Sequence, residues 1–162
     1  MNLSFLLTER ALSNHPIRVA VIGCGKFATM YLTQARQTAG IHIVGIADLD
    51  PARAIKQLTT AGWATEQYSA DNPADAIAKG STWITDNADQ LIDLSEIDVV
   101  VEATGIPTAG IRHCRRAIAA GHHIIMVNVE ADVVAGPLLA REAQAAGVVY
   151  SLAWGDQPAL IC

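Results

Sequence analysis

Six short apolar runs alternate with helix-forming segments along the 162-residue chain, and this alternation constrains the fold more than any other feature. Residues 17–22 are rich in β-branched side chains and end at a glycine, so they read as a buried strand. Residues 26–38 read as the helix that follows, with Phe27, Met30, Tyr31 and Ala35 on one face and Gly40 as its stop. Residues 41–47 form a second strand. Asp50-Pro51 then opens a helix that runs toward Gly62, because Asp caps a helix and Pro suits its first position. Asn72-Pro73 repeats the signal for a short helix closed by Gly80. Residues 81–85 read as a short strand, and Asp86 or Asn87 caps a short helix through Leu91. Residues 97–104 read as a central strand and 107–120 as a helix, with Ile111, Cys114 and Ile118 on one face. Strands at 122–127 and 148–153 flank a helix near 134–146. A first helix at about 3–12 ends before His15-Pro16. Strand–helix alternation with right-handed crossovers gives an α/β fold, a doubly wound parallel sheet of about six strands plus an N-terminal helix. The expected division is a helical extension over 1–15 and a single domain over 16–162.

The loop after the first strand carries the sharpest chemical signal. Gly23-Cys24-Gly25-Lys26-Phe27-Ala28 fits G-x-G-x-x-G/A and opens the first helix of the strand–helix–strand unit. Gly23 permits the tight turn, Gly25 lets a pyrophosphate approach the backbone, and the small Ala28 lets helix and strand pack closely. The helix N-terminus offers free N–H donors and the positive end of a dipole to phosphates. Asp48 follows Gly25 by 23 residues, at the end of the second strand, where a carboxylate accepts from adenosine-ribose hydroxyls. Together these imply a dinucleotide-binding Rossmann domain, with Gly23, Cys24, Gly25, Lys26, Phe27, Asp48, Leu49 and Arg53 as candidate cofactor contacts. Asp48 repels a 2′-phosphate, whereas Arg53 reaches one if Asp48 turns away. The cofactor therefore reads as NAD or NADP, with the carboxylate favouring NAD. The plainer reading of Arg53 is an exposed residue paired with Asp50 or solvent.

Composition narrows the function classes. The net charge is −5, and Arg112, Arg115 and Arg116 form the tightest basic cluster, read as one solvated helix face. Nucleic acid is therefore not an expected partner. No apolar run reaches the roughly 18 residues of a membrane span, so no membrane is expected either. The first ten residues lack the basic flank and long apolar region of a signal peptide. Cys24, Cys114 and Cys162 are odd in number and far apart, which reads as reduced thiols in a cytoplasmic protein. His15, His42 and His113 lack partners at ligand spacing, and His122 and His123 point to opposite sides of a strand, so no metal site is expected.

Further segments carry a family likeness. Val99-Val-Val-Glu-Ala-Thr-Gly105, Gly121-His-His-Ile-Ile-Met-Val-Asn-Val-Glu-Ala-Asp132, Gly136-Pro-Leu-Leu139 and Gly155-Asp-Gln-Pro158 resemble the homoserine-dehydrogenase-like oxidoreductases. The resemblance points toward the branch that carries a SAF domain, similar to deoxyxylulose-phosphate-reductoisomerase-like enzymes. It implies a domain that holds a nicotinamide dinucleotide for hydride transfer to or from a small carbonyl or alcohol substrate. Homoserine dehydrogenases usually carry Ala-Asn-Lys after the fifth strand. Here Asn128 is kept but Val129 stands in the lysine's place, which puts homoserine itself in doubt. A sugar or polyol dehydrogenase is less well matched, because its usual Glu-Lys-Pro-like segment is absent. Family members continue well past Gly-Asp-Gln-Pro, so the chain reads as the cofactor-binding part of a longer enzyme. On its own it is expected to bind cofactor weakly to moderately and to catalyse little. A nucleotide-binding sensor without catalysis is the alternative.

At the ligand edge of the sheet, Thr104 and Gly105 serve either the nicotinamide and its ribose or a simple turn into Pro107. Asn128 either touches the nicotinamide ribose or caps a helix. Glu130 is the candidate for proton handling, against plain loop hydrogen bonding. Glu102 reads as a partly exposed carboxylate bonded to a neighbouring loop. Cys24 reads as a small buried filler more readily than as a reactive thiolate, and Asp156 would face the cleft of a complete enzyme. Apolar surface around 154–161 favours a homo-oligomer.

Overall fold

The computed structural model describes residues 2–153. In chain order they form α1 (Leu3–Leu12), β1 (Ile17–Ile22), α2 (Lys26–Ala35), β2 (Ile41–Ala47), α3 (Pro51–Thr60), a 3-10 turn (Thr65–Tyr68), α4 (Pro73–Lys79), β3 (Trp83–Thr85), α5 (Ala88–Ile92), β4 (Val99–Glu102), α6 (Pro107–Ala120), β5 (His123–Met126), α7 (Val129–Ala146) and β6 (Tyr150–Leu152). The helix starts follow the local chemistry. Asp50, Asn72 and Asn87 each accept a backbone N–H three residues on, and Pro51 and Pro73 take the first helical positions. Gly80, Gly121 and Gly147 end α4, α6 and α7 in the left-handed conformation.

The sheet has the order β3-β2-β1-β4-β5-β6, and every pairing is parallel. The chain winds outward from β1 to one edge, then returns and winds to the other. Ile22, the last residue of β1, pairs with Ala47 on one side and Glu102 on the other. Connections leave in opposite directions at this point, so a crevice opens at the carboxyl ends of β1, β2 and β4.

Period-two alternation along β1 feeds two cores. Val19 and Val21 pack with Leu32, Leu58 and Trp63 on one face. Ala20 and Ile22 pack with Cys114, Ile118 and Leu139 on the other. Each fully buried Leu or Ile contributes about 1.5–3 kcal/mol. The sheet is thus covered on both sides, as the apolar strands require.

Several elements depart from the sequence reading. The first helix of the nucleotide unit stops at Ala35 rather than Thr38, and its buried face is Ala28, Leu32 and Ala35. Met30 faces water, at 57% exposure. These residues, spaced four and three apart, lie on one helix face against the sheet, where the small Ala28 and Ala35 allow close approach and Leu32 fills the core. α7 begins at Val129, five residues earlier than expected. Its cap is Asn128, whose side chain accepts the Ala131 N–H. Pro137 lies inside this helix, where it removes one backbone bond. The buried row Ala131, Gly136, Leu139 and Ala143 holds the helix across that gap. α1 lies where expected but buries none of its residues. No described helix is long and apolar enough to cross a membrane. The expected features at Trp154–Ile161, including Asp156, lie outside the described residues.

Candidate functional site

The crevice is a cleft of about 610 Å³ whose walls include Gly23, Gly25, Asp48, Arg53, Thr104 and His113. Gly23 has φ +90, and a Cβ there would stand 2.8 Å from the Ala103 carbonyl oxygen. Only glycine fits that turn from β1 into α2, where it packs against the backbone just past β4. Gly25 is the opposite case: nothing lies within 4 Å of where its Cβ would be. It is the N-cap of α2 and offers no side-chain cap. The first backbone bond of the helix runs from Thr29 N–H to Gly25 O, so the preceding first-turn N–H groups have no intrahelical partner.

Asp48 ties this loop to the end of β2. One carboxylate oxygen, Oδ2, accepts the Cys24 N–H at 2.7 Å. The other, Oδ1, accepts the Asp50 N–H at 2.8 Å and Arg53 Nη2 at 2.6 Å. Its side chain is 1% exposed, whereas that of Arg53 is 53% exposed. The expected partner of the Arg53 guanidinium was Asp50 or solvent. Instead Asp50 holds only the Arg53 backbone N–H, as a helix cap, and the side chain folds back over Asp48. The reason is reach: a cap oxygen faces the backbone, while a long side chain in the first turn extends past it. Cys24 is fully buried. Burial, then the Asp48 charge, pushes its thiol up to about 11, partly offset by Arg53. At neutral pH it is an inert thiol that fills space, and Leu49 beside Asp48 is 85% exposed.

At the end of β4, Glu102 is fully buried, not partly exposed as expected. Its Oε1 accepts the Thr104 hydroxyl at 2.6 Å and stands 3.3 Å from His113 Nδ1. α6 and α7 close over it, which no local pattern reveals. Thr104 faces the cleft, and Gly105 has φ +69. Asn128 is 2% exposed, and its carboxamide caps α7 while Nδ2 lies 3.4 Å from Thr104 Oγ1. Phe27 and Glu130 border a second hollow of about 520 Å³ with Val127, Val129 and Val133. Lys26 is exposed and borders neither hollow.

His113 is the residue that spacing missed. It sits on the buried face of α6 with Gly110, Cys114 and Ala117. A histidine on an otherwise apolar helix face, facing a strand that ends in glutamate, was the available signal. Arg112 joins the wall, with Nη1 2.6 Å from Asp89 and Nη2 2.9 Å from His113 Nε2. Arg115 and Arg116 are solvent-facing, as expected of that cluster, and pair with Glu142 and Asp93. Among the described residues no three His, Cys, Asp or Glu side chains converge as metal ligands.

Residues 23–152 match the model of the homoserine dehydrogenase NAD-binding domain family. The chain belongs to that family. As a homoserine-dehydrogenase-type domain it binds a nicotinamide dinucleotide, NAD or NADP. The match is to the domain family as a whole and does not single out the SAF-bearing branch. Among solved structures, the homoserine dehydrogenase of Thiobacillus denitrificans is 27% identical with a TM-score of 0.63, covering 85% of this chain and 29% of that one. The biliverdin reductase of Synechocystis sp. PCC 6803, solved with biliverdin and NADP+, is 22% identical with a TM-score of 0.65, covering 85% and 37%. GenD2 of gentamicin A biosynthesis, solved with NAD, is 19% identical with a TM-score of 0.65, covering 85% and 34%. The chain thus spans about a third of the length of these proteins. No curated protein sequence matches it significantly.

Proposed function

We propose that residues 16–162 form the cofactor-holding part of an oxidoreductase that moves a hydride between NAD(H) and a small carbonyl or alcohol substrate, with 1–15 as an appended helix. The observation that carries this reading is the open space over Gly25 at the uncapped N-terminus of α2. A pyrophosphate fits there, because bare backbone and unpaired N–H groups meet it without a side chain between. When bound, the nicotinamide ring supplies the hydride or accepts it. The chain's own residues bind and orient. Gly23 and Gly25 shape the phosphate seat, Asp48 faces the adenosine ribose, and Thr104 and Gly105 border the nicotinamide end. Glu130 gives the apolar second hollow a polar edge where a substrate can meet the ring.

NAD is the better fit of the two dinucleotides. An ionised carboxylate has about four acceptor positions, and three are in use at Asp48, leaving one for a ribose hydroxyl. A 2′-phosphate would have to draw Arg53 away and leave Asp48 buried and unpaired, which is costly. The test is titration of the chain with NADH and NADPH. Saturable binding with NADH the tighter ligand supports the reading, and absence of binding to either contradicts it.

A further inference from the structure

The hydrogen bonds behind the cleft run in one direction. Arginine can only donate, so the 2.9 Å contact between Arg112 Nη2 and His113 Nε2 makes Nε2 the acceptor. The His113 proton then sits on Nδ1, which faces Glu102 Oε1 at 3.3 Å. The same oxygen takes the Thr104 hydroxyl proton at 2.6 Å. With that proton committed inward, Thr104 Oγ1 can meet a cleft ligand only as an acceptor. Its present donors are distant: the Ile106 N–H and Asn128 Nδ2, each at 3.4 Å.

A second observation points the same way. Glu102 Oε2 is the one buried side-chain nitrogen or oxygen among the described residues without a hydrogen-bond partner. Such an atom in the core needs a reason. Oε2 and Asn128 Nδ2 both converge on Gly110, where a Cβ would stand 3.0 Å from the first and 2.7 Å from the second. Asn128 Oδ1 is held by its cap bond to Ala131, so Nδ2 stays on the Glu102 side. A shift of Nδ2 from Thr104 to Oε2 would satisfy the orphan oxygen and free Thr104 for a ligand donor.

We propose that Glu102 is a positioning residue for the nicotinamide half of the cofactor, fixing the Thr104 hydroxyl as an acceptor for an amide N–H or sugar O–H. His113 and Arg112 hold the carboxylate in place, and Asn128 fills its free oxygen when Thr104 is engaged. This rests on the dinucleotide reading above. It adds the chemical class of the contact, and it gives a buried glutamate a role exerted through Thr104 without contact with the ligand.

The test uses the full chain with two probes, NADH and ADP-ribose, the second lacking the nicotinamide. Thr104→Val and Glu102→Met, which is similar in size but has no oxygen to accept the Thr104 hydroxyl, should each weaken NADH by about tenfold, the value of one well-made hydrogen bond, and leave ADP-ribose unchanged. Thr104→Ser should restore NADH binding. The double variant should be no weaker than Thr104→Val alone, because Glu102 acts through that hydroxyl. Should Glu102→Met not fold, Glu102→Asp, one methylene short of Thr104, must give the same split between probes. Equal losses for both probes, or additive losses in the double variant, overturn the proposal. Equal affinity of the wild-type chain for NADH and ADP-ribose overturns it while leaving the cleft a nucleotide site. Failure of wild type to bind either overturns both readings.

Discussion

Arg53 Nη2 stands 2.6 Å from Asp48 Oδ1, so the guanidinium at the cleft mouth and the carboxylate beneath it form one nearly neutral unit. Cofactor choice depends on which member of the pair is removed. Asp48→Ser leaves Arg53 unpaired and removes the buried anion. It should reverse selectivity toward NADPH, with a swing on the order of 10–100-fold from one charge-assisted bond gained. Arg53→Ala should weaken NADPH further and leave Asp48 exposed to the ribose. Competitive titration with both cofactors checks each variant, and unchanged ratios would show that the pair does not set the choice.

Gly23→Ala tests the turn itself. Its φ of +90 and the 2.8 Å approach to the Ala103 oxygen leave no room for a methyl group. The variant should lose about 1–3 kcal/mol, the usual cost of a strained backbone position. Urea unfolding measures this directly, and a wild-type midpoint would contradict the geometry.

Alkaline pH should destabilise the fold. Burial pushes Cys24 up to about 11, and burial with the nearby Glu102 charge pushes Cys114 up to about 12, both from an ordinary value of 9.0. Below pH 9 both states carry the proton and nothing is lost. Above it the unfolded thiols ionise while the folded ones do not, so the folded state binds more protons and stability falls with pH. Each thiol contributes up to about 1.4 kcal/mol per pH unit across its window. Urea midpoints at pH 8 and pH 10 should therefore differ, and replacing both thiols with Ala should flatten the difference. Identical slopes for wild type and the double variant would contradict the assignment.

Asn128→Ala should cost about 1 kcal/mol by removing the cap of α7. The loss is amplified if the first turn frays, because Pro137 already interrupts the helix. Helical circular dichroism combined with thermal unfolding would detect both effects. No change in either would mean that Asn128 is not holding the helix start.

Local signals determined how much could be read from residues alone. Asp50-Pro51, Asn72-Pro73 and the Pro107-to-Gly121 span punctuate their helices so strongly that the structure follows them closely. The glycine loop and Asp48 were legible for the same reason, as neighbours along one strand–helix–strand unit. The start of α7 was misplaced because it depends on the Asn128 cap and the burial of Ala131, a tertiary fact. The Glu102 environment was illegible because His113 arrives from a later helix and Asn128 from beyond the next strand. Arg53 had two carboxylates within reach along the chain, and only the fold decides which one its side chain meets.

The central claim is that the crevice over β1 and β4 seats a dinucleotide on the bare backbone at Gly25. Nothing lies within 4 Å of a Cβ at Gly25, so Gly25→Val should leave folding intact. Calorimetric titration with NADH, run on wild type and Gly25→Val at matched thermal stability, tests the claim most directly. The account predicts saturable binding by the wild-type chain and none by the variant. No binding by the folded wild type, or equal binding by both, would contradict it.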